Sequence, residues 1–511
     1  MSIGKRRGAM MLVKRFRVIG ILLALALLAS ACVAAPAAET GQDMAADEAM
    51  DSGDSGALTG KLTLNPGSYY PSESMEWSET NPNPHNMILT LIDEYQALHP
   101  GVEIELVQPP PGDVSSREYI VTNMTAGTIP HVVYTLTRDQ VEEIGKNWWV
   151  NLDSYLEQPN HYVEAGEPGS ERWLDLFYEV PFQANRILGS HYTLNYSIVT
   201  SMMFYNKDIF EEVGVEVPTT LAELLDVFQA LQDAGYTPYG GIGSWFMYET
   251  LGQLGGSIMA ELTPQVNPDG GPANFEEVAC AIDRGVFRAE TPEYREWMRL
   301  MKEVAKFRTQ DWTDKNANAI TKWLQGDIVV VEDGSWRVKQ NKLNPNIEFE
   351  WGMFYAPKCT QESSPVCTGT PAPPIGGAPG GFAITKSAIE DGLVDLAADF
   401  LMYLSAPQNA ERLINDLGNV LPLQKGAAPA DPDLISILEN LQDHEGEAAM
   451  WTYYDKTNLE SRLEIWDLKN AYILDQLTLD DAVAQIDEIK TMYASDFISD
   501  NEVDCSALGF E

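Results

Sequence analysis

The residue types that most often perform catalysis occur here without a recognised catalytic spacing. The sequence has no GxSxG, HExxH or P-loop motif, and no CxxC pair, and its six histidines are scattered along the chain. Paired carboxylates can hydrolyse glycosides, but among 76 acidic residues some pair is always found. The sequence therefore predicts a protein that is not an enzyme and that holds neither a metal nor a cofactor.

Four cysteines other than Cys32 are candidates for disulfide chemistry: Cys280, Cys359, Cys367 and Cys505. An even number in an exported chain favours disulfides, and three pairings are open. Because Cys359 and Cys367 bracket a short Ser/Pro segment, the favoured pairing joins them across a loop and leaves Cys280 with Cys505.

The N-terminus has the pattern of an export signal. Six basic residues precede or border the apolar residues 18–28, and small residues lead to Cys32. This pattern predicts a signal peptide over residues 1–31, and it resembles a bacterial lipoprotein signal in which Cys32 is lipidated. The alternative is an ordinary signal peptide with a coincidental cysteine. Either reading places the mature protein outside the cytoplasm, anchored to the cell membrane if lipidated, at the cell surface or in the periplasm.

Residues 32–60 are rich in Ala, Gly, Ser, Asp and Glu. Such a segment buries too little apolar surface to offset its ordering entropy, so we expect a disordered linker behind the lipid anchor, although an expendable tail has the same composition. The formal net charge of the chain is −43, and it becomes more negative once the basic signal region is removed. Nucleic acid is therefore excluded as an expected partner, as are anionic lipid surfaces.

The remaining residues alternate between strand and helix patterns, which predicts an α/β protein too long for a single core. Residues 61–64 and 102–107 read as strands around a helix that starts at Pro84. A capping box of Thr220 and Glu223 starts another helix that ends at Gly235. The other patterned segments are a strand at 132–136, a strand at 202–205 and a helix at 394–404.

Four stretches in this order resemble the extracellular solute-binding proteins of ABC importers, in the family 1 group that binds sugars and oligosaccharides. They are residues 204–210 (FYNKDIF) with 214–224, residues 324–336 (LQGDIVVVEDGSW), residues 380–401 and residues 418–422 (GNVLP). The resemblance implies a two-lobed α/β fold of the periplasmic-binding-protein type II, with the ligand cleft between the lobes. It also implies a monomer that closes on its ligand and is read by the permease subunits of an ABC transporter.

The implied lobe boundaries are discontinuous. The first lobe comprises residues 61–195 and 376–428, and the second comprises residues 196–375 and 429–511. The chain is expected to cross between the lobes near residues 190–200, 375–382 and 425–431.

A sugar offers apolar ring faces and a rim of hydroxyls, so its site needs aromatic rings and hydrogen-bonding side chains. The resemblance and the loop positions single out candidates, each of which has an ordinary core or surface role as its alternative. They are Trp336, Tyr205, Trp466, Trp77, Glu79, Trp245, Tyr248, Thr135, Arg138, Gly380 and Gly381. A polyamine, a metal or a phosphorylated compound stays open as the solute, and an exported glycan-active enzyme or a structural lipoprotein stays open as the class.

Overall fold

The computed structural model describes residues 57–108, 117–241, 274–309, 311–312, 319–369, 376–378, 380–443 and 459–510, with 258, 262–266 and 268. Within those ranges, none of the helices combines the length and the apolar character that a membrane span requires.

The described strands and helices alternate along the chain. The strands are Thr59–Asn65 (β1), Gly101–Leu106 (β2), Val132–Leu136 (β3), Leu194–Asn195 (β4), Ser197–Asn206 (β5), Thr237–Gly241 (β6), Ile328–Gly334 (β7), Trp351–Phe354 (β8), Gly376–Gly377 (β9), Gly380–Ile384 (β10) and Leu421–Pro422 (β11). The α-helices are Met87–Leu98, Arg117–Ala126, Asp153–Leu156, Glu179–Gln183, Lys207–Val213, Leu221–Asp233, Thr263–Val266, Phe275–Asp283, Pro292–Ala305, Ala319–Leu324, Arg337–Leu343, Lys386–Glu390, Val394–Ser405, Pro407–Leu417, Pro432–Asp443, Leu459–Ile473 and Leu479–Asp500. Short 3-10 turns cover Gly67–Tyr69, Thr137–Asp139, Val141–Lys146 and Trp173–Leu176.

The first sheet has the strand order β2-β1-β3-β10-β4. Strand β1 is parallel to β2 and to β3, whereas β10 is antiparallel to β3 and β4. The parallel pair β1–β2 with the helix Met87–Leu98 between them confirms the predicted βαβ unit.

The second sheet is built around β5, in the order β11-β5-β7-β6, and β8 and β9 also pair with β5. Strand β4 of the first sheet ends at Asn195 and β5 starts at Ser197, so the chain passes between the sheets there. It passes between them again between β9, which ends at Gly377, and β10, which starts at Gly380. We call these two segments the hinge crossings.

Alternation along β5 divides the apolar side chains between two cores. Met203 belongs to the core shared with the helices Leu221–Asp233, Phe275–Asp283 and Leu479–Asp500. Met202 and Phe204 point to the opposite face and join the core that contains β1, β10 and the helix Val394–Ser405. Because strand side chains alternate with a period of two, one strand contributes to both cores.

The sequence predicted the start of one helix correctly and the start of another helix wrongly. Thr220 Oγ1 accepts from Glu223 N, and the Glu223 carboxylate accepts from the Thr220 backbone N–H, which confirms the capping box. The helix predicted to start at Pro84 begins instead at Met87. Asp416 Oδ2 accepts from the backbone N–H groups of Asn86 and Met87, at 2.7 Å each. The first turn is thus capped by a carboxylate from a distant part of the chain.

Two disulfides cross-link the chain. One joins Cys280 to Cys505, at a sequence separation of 225, and the other joins Cys359 to Cys367, at a sequence separation of 8. The long-range bond attaches the C-terminal segment to the helix Phe275–Asp283.

Candidate functional site

The carboxyl ends of the parallel strands in the first sheet lie beside the hinge crossings. Strand β3 ends at Leu136, which pairs with Gly380, the first residue of β10. Strand β4 runs in the same direction as β3 and ends at Asn195, opposite Gly381. Strand β1, parallel to β3, ends at Asn65, which pairs with Val133, three residues before the end of β3.

The second sheet turns its own carboxyl edge toward the same crossings. Strands β6 and β7 are parallel and end at Gly241 and Gly334. Strand β7 is antiparallel to β5, and Gly334 pairs with Ser201, midway along β5. In α/β proteins ligands bind outside the carboxyl ends of the strands. We call the region bounded by these two edges the hinge cleft.

Four buried polar side chains near these edges have an atom without a hydrogen-bond partner in the described part of the chain. These atoms are Asn65 Nδ2, Gln140 Nε2, Asn195 Oδ1 and Thr200 Oγ1. All four side chains are at most 1% exposed. A buried polar group without a partner costs about 1–3 kcal/mol, so these atoms are suited to hydrogen-bond a ligand or ordered water.

Their orientation is fixed by their other hydrogen bonds. Asn195 Nδ2 donates to Thr137 Oγ1 at 3.0 Å and to the Ala378 carbonyl at 2.6 Å, which leaves Oδ1 as an acceptor. Thr193 Oγ1 donates to Gln140 Oε1 at 2.6 Å, which leaves Nε2 as a donor. These bonds tie the turn after β3 to both hinge crossings.

The opposite wall contains the Gly-Ser-Trp turn after β7. The Trp336 ring lies against Gly334, where an added Cβ would be 2.2 Å from ring atom Cζ3. The Trp336 indole donates a hydrogen bond to Asp333, and Ser335 N donates to the Thr200 carbonyl at 2.8 Å. The ring of Trp336, which is half-buried, is therefore held in one orientation beside the hinge.

The carboxylates beside this turn are already engaged. Arg337 approaches Asp333 Oδ2 at 2.6 Å through Nε and at 2.5 Å through a terminal nitrogen. Burial raises the pKa of Asp333, and the Arg337 guanidinium opposes that shift. Glu332 accepts a hydrogen bond from the Tyr239 hydroxyl, and burial together with Glu332 raises the pKa of Tyr239 well above its usual range.

Among the predicted residues, Thr135 and Arg138 lie at the end of β3 and in the turn after it. Thr135 is buried, and its hydroxyl makes a long hydrogen bond of 3.4 Å to the Leu136 carbonyl. Arg138 Nε lies 3.7 Å from Asp139 Oδ1. Both residues are thus close to the first-sheet edge of the hinge cleft.

Gly380 and Gly381 lie on the same edge, and strand packing accounts for the absence of their side chains. A Cβ at Gly381 would lie 2.0 Å from the Leu194 carbonyl oxygen, and one at Gly380 would lie 2.5 Å from the Tyr134 hydroxyl oxygen. The close approach of β10 to its neighbours therefore requires both glycines, whether or not a ligand comes near them.

Tyr205 and Trp466 pack at the margin of the core that contains Met203. Tyr205 is near the far end of β5, and its ring packs on Phe210 and Phe354 with centroids 4.6 and 5.7 Å apart. Trp466 packs against the same core, with the Arg462 guanidinium 5.6 Å from its ring. These contacts are those of packed core side chains, and a ligand contact for either residue stays a prediction.

The other predicted residues lie in loops or beyond the described ranges. Trp77 is half-buried and Glu79 is exposed, both in the segment before the helix Met87–Leu98. Trp245, Tyr248 and Cys32 lie outside the described residues.

Sequence reasoning missed Asn65, Gln140, Asn195 and Thr200. Nothing local distinguishes Gln140 and Thr200 from surface polar residues, because only the tertiary structure buries them. A polar residue at the end of an apolar strand is the one signal that points to Asn65 and Asn195. In the described ranges, no group of three His, Cys, Asp or Glu side chains is placed to hold a metal ion.

The chain matches a protein-family model. That model, described as bacterial extracellular solute-binding protein, matches residues 90–437. No curated protein matches the chain by sequence.

Several solved structures share the fold. The sugar-binding protein MalE from Xanthomonas citri superposes with a TM-score of 0.60 at 17% identity, covering 87% of this chain and 100% of that protein. The GacH receptor of Streptomyces glaucescens, described in complex with acarbose, has a TM-score of 0.60 at 16% identity and covers 86% and 99%. A chitin oligosaccharide binding protein has a TM-score of 0.57 at 18% identity and covers 80% and 95%.

Proposed function

The chain belongs to the bacterial extracellular solute-binding proteins, and on that premise we propose that it captures a sugar or oligosaccharide outside the cell. The ligand occupies the hinge cleft, and the closed, loaded protein delivers it to the permease subunits of an ABC importer. The protein acts by binding and release, as a monomer, without catalysis.

The observation that carries this proposal is the set of buried, neutral, unpartnered polar atoms at the hinge cleft. Asn65 and Gln140 present N–H donors, whereas Asn195 presents an acceptor and Thr200 a hydroxyl that can do either. A sugar hydroxyl donates and accepts at once, so a row of hydroxyls satisfies both kinds of atom. The neutral character of all four side chains favours an uncharged ligand.

The Trp336 ring also supports a sugar as the ligand. Its ring is fixed by Gly334 beneath it and by the hydrogen bond to Asp333. An immobilised aromatic ring loses little entropy when an apolar sugar face stacks on it.

The solved relatives support the ligand class, since two of those compared are described with an oligosaccharide or acarbose. A polyamine would need free carboxylates around an aromatic slot. Of the carboxylates described beside the Gly-Ser-Trp turn, Asp333 is paired with Arg337, and Glu332 accepts from Tyr239. This arrangement favours hydroxyl groups over ammonium groups.

Hinge closure provides the transport signal. Because ligand contacts both sheet edges only when they approach each other, binding shifts the population toward the closed form. The two hinge crossings next to Asn195 and Gly380 must bend, together with the third crossing predicted near residues 425–431. The lobe boundaries at residues 195, 375 and 428 are part of this proposal.

Export and membrane anchoring are the last part of the proposed function. We propose that residues 1–31 are removed, that Cys32 carries the lipid, and that residues 32–60 act as a linker outside the cytoplasm. Mass spectrometry of the membrane-extracted protein tests this directly, since an N-terminal peptide starting at unmodified residue 32 would contradict lipidation.

The binding test is thermal unfolding of the full-length protein against a panel of sugars and oligosaccharides, with spermidine as a competing class. A ligand at 100 times its Kd stabilises by about 2.7 kcal/mol, which raises Tm by a few degrees. We expect a sugar to produce this shift and to be recovered chemically intact. A shift with spermidine alone would reject the sugar, and hydrolysis of the sugar would reject the binding-only role.

Variants then locate the site. Trp336→Ala is expected to weaken sugar binding and so to reduce the sugar-dependent shift. Trp148→Ala is the matched control, because Trp148 is a half-buried tryptophan near the opposite end of β10, where Lys386 N donates to its carbonyl. Equal loss in both variants would show general damage, and retention in Trp336→Ala would reject the hinge cleft wall.

A further inference from the structure

A lysine next to the Gly-Ser-Trp turn makes hydrogen bonds to a different part of the chain. Lys339 lies three residues after Trp336, in the helix Arg337–Leu343 that follows β7. Its ammonium group donates to three backbone carbonyl oxygens, those of Asp416 at 2.6 Å, Leu417 at 3.1 Å and Pro84 at 3.3 Å. An ammonium group has three N–H donors, so each of them has a backbone acceptor here.

The three acceptors belong to the first sheet and the helices packed around it, which we call the first-sheet part. Asp416 and Leu417 end the helix Pro407–Leu417, which packs against the helix Met87–Leu98. The last carbonyls of a helix have no partner within it, and a cation there complements the helix dipole. Lys339 therefore caps a helix of the first-sheet part from a helix that follows a strand of the second sheet.

A glycine at the helix end admits the lysine stem. Gly418 follows the helix in the left-handed conformation, with φ +59°, and a Cβ there would lie 2.7 Å from Lys339 Cδ. Burial lowers the pKa of Lys339, and the Asp416 carboxylate opposes that shift. The stem thus lies against the backbone of the helix end, so packing as well as hydrogen bonding fixes the position of the ammonium group.

The capped helix end is itself attached to the first-sheet part. The Asp416 carboxylate accepts from the N–H groups at the start of the helix Met87–Leu98, at 2.7 Å each. A chain of hydrogen bonds therefore runs from the Gly-Ser-Trp turn through Lys339 and Asp416 to that helix. A longer hydrogen bond, 3.4 Å from Ser335 Oγ to the Asn419 carbonyl, joins the same turn to the segment that follows the capped helix.

We propose that Lys339 is a positioning residue for sugar binding, which fixes the Trp336 ring in the hinge cleft wall by fastening its helix to the first-sheet part. The inference rests on the proposed function, because it takes the ring as a sugar contact. Lys339 acts through the ring and does not touch the sugar. A movement of the first-sheet part relative to the second sheet therefore changes how firmly the ring is held.

The first test is fluorine NMR of the full-length protein carrying 5-fluorotryptophan, without any sugar. The sequence has 12 tryptophans, and the Trp336 signal is identified by its loss in Trp336→Phe. Lys339→Met keeps an apolar stem and removes all three N–H donors. We expect this variant to shift or broaden the Trp336 signal, and to leave in place the Trp148 signal, which is identified in the same way.

Lys302→Met is the matched control. Lys302 also donates to a backbone carbonyl, that of Tyr472 at 3.1 Å, but it lies on the helix Pro292–Ala305, so the Trp336 signal should stay in place. Lys339→Gln retains N–H donors without the charge and should move the signal less than Lys339→Met. It carries the test if the methionine variant does not fold.

Calorimetric titration with the sugar identified by the thermal panel then measures the effect on binding. Lys339→Met is expected to weaken the affinity about fivefold, the loss expected for one stacking contact. It should have no further effect in a Trp336→Ala background, because it acts through the ring.

The two measurements separate this proposal from the proposed function. A helix cap without a positioning role would lower Tm and leave the Trp336 signal unchanged, and that result would overturn the proposal whatever the sugar does. A moved signal with unchanged affinity would overturn the role of Lys339 in binding, whereas sugar capture is tested separately by the thermal panel. If no sugar binds, the proposed function fails and the role in binding with it, and the NMR measurement alone still decides whether Lys339 fixes the ring.

Discussion

Gly334→Ala tests the wall of the hinge cleft with the addition of one methyl group. The new Cβ would lie 2.2, 2.3 and 2.5 Å from three carbons of the Trp336 ring. Carbon atoms at optimal contact are about 3.5–4.0 Å apart, so the ring must move by about 1 Å or more. The hydrogen bond from the indole to Asp333 resists that movement.

Two effects are expected. Overpacking of this kind costs about 1–3 kcal/mol of unfolding free energy. A displaced ring also loses a sugar contact of about 1 kcal/mol, which weakens the affinity about fivefold. Calorimetric titration with the sugar identified by the thermal panel measures the second effect, and thermal unfolding without ligand measures the first.

A double-mutant cycle separates a ring effect from a backbone effect. If Gly334→Ala acts through the ring, it should have no further effect on affinity in a Trp336→Ala background. Gly145→Ala is the matched control, since a Cβ at Gly145 meets nothing within 4 Å. Unchanged affinity and unchanged Tm in Gly334→Ala would refute the described contact, and additive losses in the cycle would refute the role of the ring.

Three further predictions concern stability. Gly381→Ala is expected to cost about 3 kcal/mol or more, since its Cβ would meet the Leu194 carbonyl oxygen at 2.0 Å; urea unfolding measures the loss. The folded pKa of Asp153, about 2 against an ordinary 3.8, stabilises the fold above the ordinary value, and that stabilisation is lost as pH falls from 3.8 to about 2. This pKa shift corresponds to roughly 2 kcal/mol of unfolding free energy. Because the Asp153 side chain is 40% exposed, solvent screening reduces that contribution to about 1 kcal/mol. Asp153→Asn should therefore lower the unfolding free energy by that amount at pH 7, as measured by urea unfolding. Removing the Cys280–Cys505 bond, which closes a loop of 225 residues, should cost about 5 kcal/mol in the chain-entropy model, measured by thermal unfolding of the double serine variant.

Each of these three stability predictions has an outcome that contradicts it. A Gly381→Ala protein as stable as Gly145→Ala would show that β10 and β4 are not as close as described. An Asp153→Asn deficit that is as large at about pH 2 as at pH 7 would show that the carboxylate charge is not the source. The Cys359–Cys367 pair, which closes only 8 residues, should cost roughly half as much as the long-range pair, and equal losses would argue against loop entropy as the cause.

The sequence by itself determined those features that depend on residues close together in the chain. The capping box joins Thr220 to Glu223, three positions further along. The buried apolar face of Ile88, Leu91, Ile92 and Tyr95 lies within one helix. The local pattern therefore suffices for both. The four motifs, in their order, also resemble the solute-binding family, and the family model over residues 90–437 confirms that resemblance.

The tertiary structure decided what depends on distant partners. The helix start at Met87 depends on Asp416, which no local signal reveals. Asn195, Gln140 and Thr200 become site candidates only because strand pairing buries them beside the hinge crossings. Tyr205 matches the family pattern, yet its position near the end of β5 directs it to Phe210 and Phe354. A sequence specifies which residues are apolar and which are polar. The pairing of strands far apart in the chain then decides which polar atoms are buried away from water, and those atoms define the candidate site.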